Sequence, residues 1–357
     1  MIEHYGWSDT LRQDFQPFAA QGFAPGRVIV QQRDLYRLVT EAGELEGRLS
    51  GRFRLDAEAG GHPVAGDWVA ADLRPQEGQA TIRALMPRST AFVRWASGPV
   101  GGRQVVAANV DVALLAASLN ADLSLRRLER YLATAYESGA EPVIVLTKAD
   151  ACEDVAGAVA EVEAIAFGVP VLAVSAVTGE GLAAVAAHLA PGRTAVVLGS
   201  SGVGKSTLVN ALAGAELMST QGIIEEGARG RHTTTHRELV RLPSGGLILD
   251  TPGMRELGLW DAEAGLSATF ADVEGLAAGC RFSDCRHEAE PGCAVQAAVA
   301  TGALDPERLR SWRKLQRELA YERRREDPLA REAERKLWMG RHKSAKAHMK
   351  AKRDFGA

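Results

Sequence analysis

The sequence predicts a multidomain protein with a small N-terminal β-barrel, a central α/β domain and a mainly helical C-terminal domain that holds a metal. Three observations lead there. Five short alternating segments with glycine turns occupy 27–85. Uninterrupted apolar runs then alternate with helical stretches as far as about 260, and three of the four cysteines crowd into fourteen residues, 280–293. A chain of 357 residues also exceeds one ordinary core, since domains hold about 100 to 200 residues.

The elements follow in order. Residues 1–25 carry Trp7, Phe15, Phe18 and Phe23 without a clear period and are expected to form an extension with one short helix. Residues 26–95 are expected to form the barrel, with strands at 27–31, 36–40, 46–55, 67–73 and 79–85 and turns at Gly43, Gly60, Gly61 and Gly78. Five strands suit an OB-fold, a common oligonucleotide binder, although strand count alone does not separate it from an SH3-like barrel. Residues 96–262 form the α/β domain. Its apolar runs at 112–117, 143–146, 169–174, 195–198 and 247–249, with helices at 125–138 and 155–167, imply a parallel sheet covered on both faces. Residues 263–357 contain the cysteine cluster, long helices at 305–325 and 328–338, and a lysine-rich tail.

Composition narrows the function classes. With 46% hydrophobic and 24% charged residues, the chain is neither globally disordered nor collagen-like. No apolar run approaches the ~20 residues that cross a bilayer, and the N-terminus lacks the basic start and apolar stretch of a signal peptide. A cytoplasmic protein without a membrane partner, acting as a monomer, is expected. The net charge of -3 hides an asymmetry: residues 308–353 hold 17 Lys and Arg against 6 Asp and Glu. A basic tail on an acidic body suits contact with a polyanion, and as a bland alternative it is a solvated helix.

The chemistry is carried by short motifs. GSSGVGKST spans Gly199, Ser200, Ser201, Gly202, Val203, Gly204, Lys205, Ser206 and Thr207, between an apolar strand and a helix beginning near Lys205. This is the GxxxxGK[ST] pattern, in which backbone N–H groups cradle phosphates, Lys205 reaches the outer phosphates and Ser206 ligates magnesium. DTPG at 250–253 follows the strand at 247–249, placing Asp250 toward the magnesium and Gly253 beside the terminal phosphate. LTKAD at 146–150 ends another buried strand. There the Asp150 carboxylate can accept both the ring N–H and the exocyclic amine of guanine while the Lys148 stem packs on the base. Adenine offers no such donor pair. Ser175 and Ala176, after the strand at 169–174, can supply a backbone N–H to the guanine carbonyl oxygen. Thr147 stands where such motifs usually carry Asn, and it can make fewer bridging hydrogen bonds.

Cys280, Cys285, His287 and Cys293, with four, one and five intervening residues, make a complete tetrahedral donor set for a structural zinc. Cys152 has no such company and is read as a small residue near a strand end.

Motif order distinguishes the chain further. The base-reading LTKAD and Ser175–Ala176 precede the phosphate loop and DTPG comes last, so the α/β domain is a circularly permuted P-loop GTPase domain. With an N-terminal barrel and a C-terminal Cys/His cluster, the sequence resembles the small-ribosomal-subunit-dependent GTPases of the RsgA (YjeQ) family. Further likeness lies in GDWV at 66–69, Pro87-Arg88, ANVD at 108–111 and GRHTTT at 230–235. The resemblance implies slow GTP hydrolysis, giving GDP and stimulated by the small ribosomal subunit, during late subunit maturation. The subunit and its rRNA are the implied partners, and magnesium with GTP and one zinc ion the implied cofactors.

Residues 222–236 occupy the position of switch I. One of Thr233, Thr234 and Thr235 is expected to close on magnesium and the terminal phosphate, Thr234 being favoured. Met254 follows DTPG where many GTPases carry a water-orienting glutamine. His232 is then the nearest candidate for that task, or else an RNA contact on an exposed loop. Two rival readings remain: an RNA-binding protein with GTP as a structural or slowly exchanged ligand, and an adenine-specific ATPase, against which Asp150 argues.

Overall fold

In a computed structural model, the structure describes residues 1–32, 35–56, 61–95, 103–120, 123–216, 237–250 and 262–326. The helix expected at 328–338 and the lysine-rich tail lie outside the described residues. The chain divides into two compact units, 1–258 with 264–274 and 259–263 with 275–357.

The first unit opens with a 3-10 turn, Ile2–Tyr5, and two short helices, α1 (Asp9–Asp14) and α2 (Gln16–Ala19), where the sequence suggests one helix. Ser8 caps α1 by accepting the Leu11 N–H. Ile2, Trp7 and Phe15 are buried, and the Trp7 ring lies 4.8 Å from that of Trp68. The aromatic residues that lacked a period thus form a cover over the barrel wall.

The barrel is built from β1 (Ala24–Gln32), β2 (Leu35–Thr40), β3 (Gly43–Leu49), β4 (Trp68–Arg74) and β5 (Gln79–Leu85), with α3 (Gly51–Asp56) between β3 and β4. β1 pairs with both β2 and β4, closing the order β1-β2-β3-β5-β4 on itself, and β3 runs parallel to β5. That closure, with a helix after the third strand, is the OB arrangement. The predicted strand at 46–55 is corrected: it ends at Leu49. Ser50 accepts the Phe53 N–H through its hydroxyl and starts α3, a capping signal that outweighs the apparent alternation. Side chains alternate across the wall as strand geometry requires. Val28, Leu38, Leu45, Val69, Ala71 and Ile82 fill the interior, whereas Ile29, Val39, Trp68 and Ala70 face the larger core outside it.

A hairpin of β6 (Ala91–Trp95) and β7 (Arg103–Ala108), which the sequence reading missed, leads into the α/β part. There follow β8 (Val112–Ser118), α4 (Leu125–Ser138), β9 (Glu141–Thr147), α5 (Val155–Glu163), β10 (Val171–Ala173), α6 (Leu182–Ala187), β11 (Thr194–Leu198), α7 (Lys205–Ala213), β12 (Arg237–Arg241) and β13 (Leu247–Asp250). Strands β10, β9, β8, β11 and β13 pair in that order, all parallel, and β12 adds antiparallel to β13. α5 and β10 are shorter than predicted, because 3-10-type bonds and a left-handed Gly168 turn the chain between them. Both faces of the sheet are covered. Leu115, Ile144, Val196 and Leu249 pack on one side with Leu128 and Leu132 of α4 and Val162 of α5. Leu114, Val145, Ala195 and Ile248 pack on the other with Val185 of α6 and Leu208 and Val209 of α7.

The barrel and this sheet are continuous, since β1 also pairs with β12 through Val30↔Glu238 and Gln31↔Arg237. Arg27 fastens the junction. Its buried guanidinium donates to Tyr5 O, to Gly66 O at 3.3 Å, to Asn109 O at 3.1 Å and to Thr194 Oγ1 at 2.8 Å. Burial lowers its pKa to about 10. The GDWV, Pro87-Arg88 and ANVD motifs meet at the same place. Asp67 accepts both Arg88 Nε and Nη2, Asn109 donates to Gly66 O, and Asp111 accepts the Thr194 N–H.

After α8 (Glu263–Thr269) and α9 (Ala271–Ala277), the second unit carries the cysteine cluster, α10 (Ala294–Ala300) and α11 (Pro306–Glu326). Arg308, Ser311, Leu315 and Leu319 make the buried stripe of α11 at helical spacing. Among the described residues no helix is long and apolar enough to cross a membrane.

Candidate nucleotide site and metal centre

In a parallel sheet, ligands bind beyond the carboxyl ends of the strands. The predicted nucleotide-binding residues that the structure describes gather there. β11 lies between β8 and β13 and runs into the loop 199–204, and α7 begins at Lys205. Gly199 must be glycine, because a Cβ there would stand 2.5 Å from Ala116 O in β8. Gly204, at φ 93, caps α7 in the left-handed conformation. The loop therefore turns its backbone across the N-terminus of α7, a geometry suited to phosphate. Lys205 Nζ donates to Gly199 O at 2.8 Å and to Ser200 O at 2.5 Å. Ser201, Gly202 and Thr207 are exposed, Ser206 is half-buried at the start of the helix, and Val203 anchors the loop with a buried side chain.

The base-reading segment closes on this loop from β9. Thr147 Oγ1 lies 2.5 Å from Val203 O and 3.2 Å from Ala117 O, so its one proton ties the end of β9 to the loop. Lys148, in the left-handed conformation at φ 60, donates through Nζ to Gly202 O at 2.9 Å. Asp150 stands exposed in the 3-10 turn that follows, and the Ala149 N–H donates to Val174 O at the end of β10. At that end Ser175 is fully buried; its hydroxyl accepts the Val177 and Thr178 N–H groups and its own N–H donates to Glu180 O. The half-buried Ala176 has no partner for its N–H among the described residues. Of the two residues, Ala176 is thus the one placed to donate to a base.

Asp250 ends β13, with its backbone paired to Glu238. Its side chain, together with Gly253, Met254, His232 and Thr233, Thr234 and Thr235, lies outside the described residues. The sequence reading missed one neighbour of the loop, Arg127 of α4, whose Nη1 donates to Ser200 Oγ at 2.7 Å. Its only signal was the run of arginines 126, 127 and 130, which reads as an ordinary helix surface.

In the second unit Cys280, Cys285, His287 and Cys293 bring one donor atom each within 4.8 Å of one another. His287 Nδ1 lies 3.5 Å from both Cys280 Sγ and Cys293 Sγ, and those two sulfurs are 3.9 Å apart. Tetrahedral zinc, with Zn–S about 2.3 Å and Zn–N about 2.0 Å, separates two sulfurs by about 3.8 Å and sulfur from nitrogen by about 3.5 Å. The donors fit, and all four cysteines are free of disulfides. The loop is braced from within: the Glu290 carboxylate accepts the N–H groups of Arg286, Glu288 and Ala289, and the Arg281 N–H donates to Gly292 O. Cys293 also caps α10. Burial and the neighbouring thiols push Cys285 up to about 11. Cys280, which burial alone would raise, is held below its ordinary value by the backbone of Val295 and Ala294. Burial lowers the pKa of His287, favouring the neutral imidazole a metal takes.

Comparison with known proteins gives one answer. The family model described as RsgA GTPase matches residues 85–260. The chain is 47% identical to the small ribosomal subunit biogenesis GTPase RsgA of Opitutus terrae, over 94% of this chain and 95% of that one. It is likewise 47% identical to the protein of the same name from Streptomyces coelicolor, over 99% and 96%. Among solved structures, YjeQ from Thermotoga maritima superposes with a TM-score of 0.62 at 28% identity, covering 84% of this chain and 99% of that one. YloQ, described as a circularly permuted GTPase, shares the fold with a TM-score of 0.61 at 24% identity, over 84% and 95%. The permuted order of base-reading loop, phosphate loop and β13, the closed barrel and the Cys/His cluster agree with these likenesses, and the chain belongs to the RsgA GTPase family.

Proposed function

We propose that this chain is a ribosome-biogenesis GTPase that binds the small ribosomal subunit and hydrolyses GTP to GDP under the subunit's stimulation, late in subunit maturation. The observation that carries the reading is the joining of a base-reading loop to a phosphate loop, through Thr147 to Val203 and Lys148 to Gly202. Asp150 is the guanine-selecting carboxylate, and the Ala176 N–H serves the guanine carbonyl oxygen. Lys205 neutralises the outer phosphates. Ser206 and Asp250 would hold magnesium, which with GTP offsets the charge that develops on the phosphates. Cys280, Cys285, His287 and Cys293 would hold a structural zinc, closed by four protein ligands and so without a site for water.

The barrel (26–95) and the zinc-bearing, basic region (263–357) are proposed as the RNA-facing parts, flanking the GTPase domain (96–262). Thr234 closes on magnesium and the terminal phosphate, and His232 orients the attacking water when the subunit is bound. Hydrolysis of GTP and of ATP, measured with and without purified small subunits, tests the reading. Subunit-stimulated, GTP-selective turnover is expected. Tight GTP binding with no stimulation would leave an RNA-binding protein that uses GTP as a slowly exchanged ligand, and equal use of ATP would remove the role given to Asp150.

A further inference from the structure

α4 follows β8, and β8 lies beside the loop-bearing strand with Leu115 opposite Leu198. Two parallel neighbours release their loops at the same edge of the sheet, so the first turn of α4 stands next to the phosphate loop. Two consecutive arginines occupy that turn and face different ways. Arg126 turns back along its own helix to Glu129, at 2.6 Å, whose side chain is fully buried. Arg127 turns outward to the loop, where Nη1 reaches Ser200 Oγ at 2.7 Å. Ser200 is then held from two sides by two cations, its hydroxyl by Arg127 and its carbonyl oxygen by Lys205 Nζ at 2.5 Å. One residue separates the guanidinium from the ammonium that serves the outer phosphates.

We propose that Arg127 is a positioning residue for the terminal-phosphate end of the nucleotide site, acting through Ser200 on the aim of Lys205, and that it thereby sets part of the preference for GTP over GDP. A charged donor makes a stronger hydrogen bond than a neutral one, and fixing the loop's second residue before ligand arrives lowers the ordering cost of binding. The effect falls on the triphosphate because Lys205 serves the outer phosphates. The inference rests on the GTPase reading above.

The test is direct titration of the full-length chain with GTP and with GDP, magnesium present, for wild type, Arg127→Met, Ser200→Ala and the double variant. Arg127→Met is expected to weaken GTP about fivefold and GDP by less than about twofold. Ser200→Ala should do the same, and the double variant should lose no more than either single one, as two residues in one contact require. Equal losses for both nucleotides, losses that add in the double variant, or wild-type GTP affinity in both single variants would each overturn the proposal. Ser200→Ala carries the test should Arg127→Met fold poorly. If the wild type binds neither nucleotide, the GTPase reading fails and this inference with it. If the wild type binds GTP and the single variants bind it equally well, this inference alone fails.

Discussion

The hydroxyl of Thr147 lies 2.5 Å from the carbonyl oxygen of Val203, joining the strand that leads to Asp150, the proposed guanine-reading carboxylate, to the loop proposed to cradle phosphate. A threonine has one proton where asparagine has two, and that proton is spent on the bridge. Thr147→Val keeps shape and removes the bond, leaving the Val203 carbonyl short of a partner in a buried setting. Because the bridge acts on the whole loop, GTP and GDP should weaken together, each about fivefold to tenfold, as loss of one buried hydrogen bond implies. Calorimetric titration distinguishes this matched loss from the GTP-selective one expected at Arg127.

Lys205→Ala should abolish turnover without unfolding the chain, since the ammonium donates to the loop carbonyls of Gly199 and Ser200 and acts on ligand charge. Asp150→Asn should relax base choice, because a carboxamide cannot accept two donors. Competition by inosine and xanthosine triphosphates is the readout, and unchanged preference for GTP would show that the exposed Asp150 does not read the base.

The parts legible in the sequence were those whose physics is local. Val112 to Ala117 is apolar without a break because both faces of β8 are covered, and the order of LTKAD, GSSGVGKST and DTPG along the chain carries the permutation by itself. β12 was missed because Arg237–Arg241 carries charges at both ends and is a strand only through β1 and β13. α3 was read as strand because Arg52, Phe53, Arg54 and Leu55 alternate in polarity, while the deciding cap sits one turn earlier at Ser50. Arg27 and Arg127 were invisible for another reason: their partners lie on elements far away in the chain, Thr194 and Ser200 respectively.

Arg88 and Asp67 yield a pH-dependent prediction. Asp67 is wholly buried, and burial raises its pKa above the ordinary carboxylate value despite two Arg88 bonds and the Val64 N–H. With the folded value above the unfolded one, the folded chain binds the extra proton between them. This carboxyl's contribution is therefore full below the unfolded value of about 3.9 and is lost as pH rises through the folded value. Arg88→Met removes the partner and raises the folded value further. The variant should lose about 3 kcal/mol at neutral pH, the usual result of breaking a buried pair. Its deficit relative to wild type should narrow as pH falls through the raised folded values of the two proteins. Denaturant unfolding at several pH values measures this, and a deficit independent of pH would mean that Asp67 is not the group left uncompensated.

The metal centre separates stability of the second unit from nucleotide binding in the first. Three of its donors, Cys280, His287 and Cys293, already stand at zinc spacing and Cys285 lies within 4.8 Å of them, so the ion's binding energy becomes local folding energy for the segment they enclose. Cys285→Ser removes one of the three thiol donors and replaces it with a hydroxyl that zinc binds poorly. Metal content should fall from one zinc per chain, and amide exchange over 279–295 should quicken more than about tenfold. Subunit affinity should drop with it. GTP affinity measured without the subunit should stay at the wild-type value, because Thr147, Lys148, Asp150, Ala176 and the phosphate loop all belong to the first unit. Full metal content in Cys285→Ser would show that three donors suffice, and a parallel loss of GTP affinity would show that the two units do not respond separately.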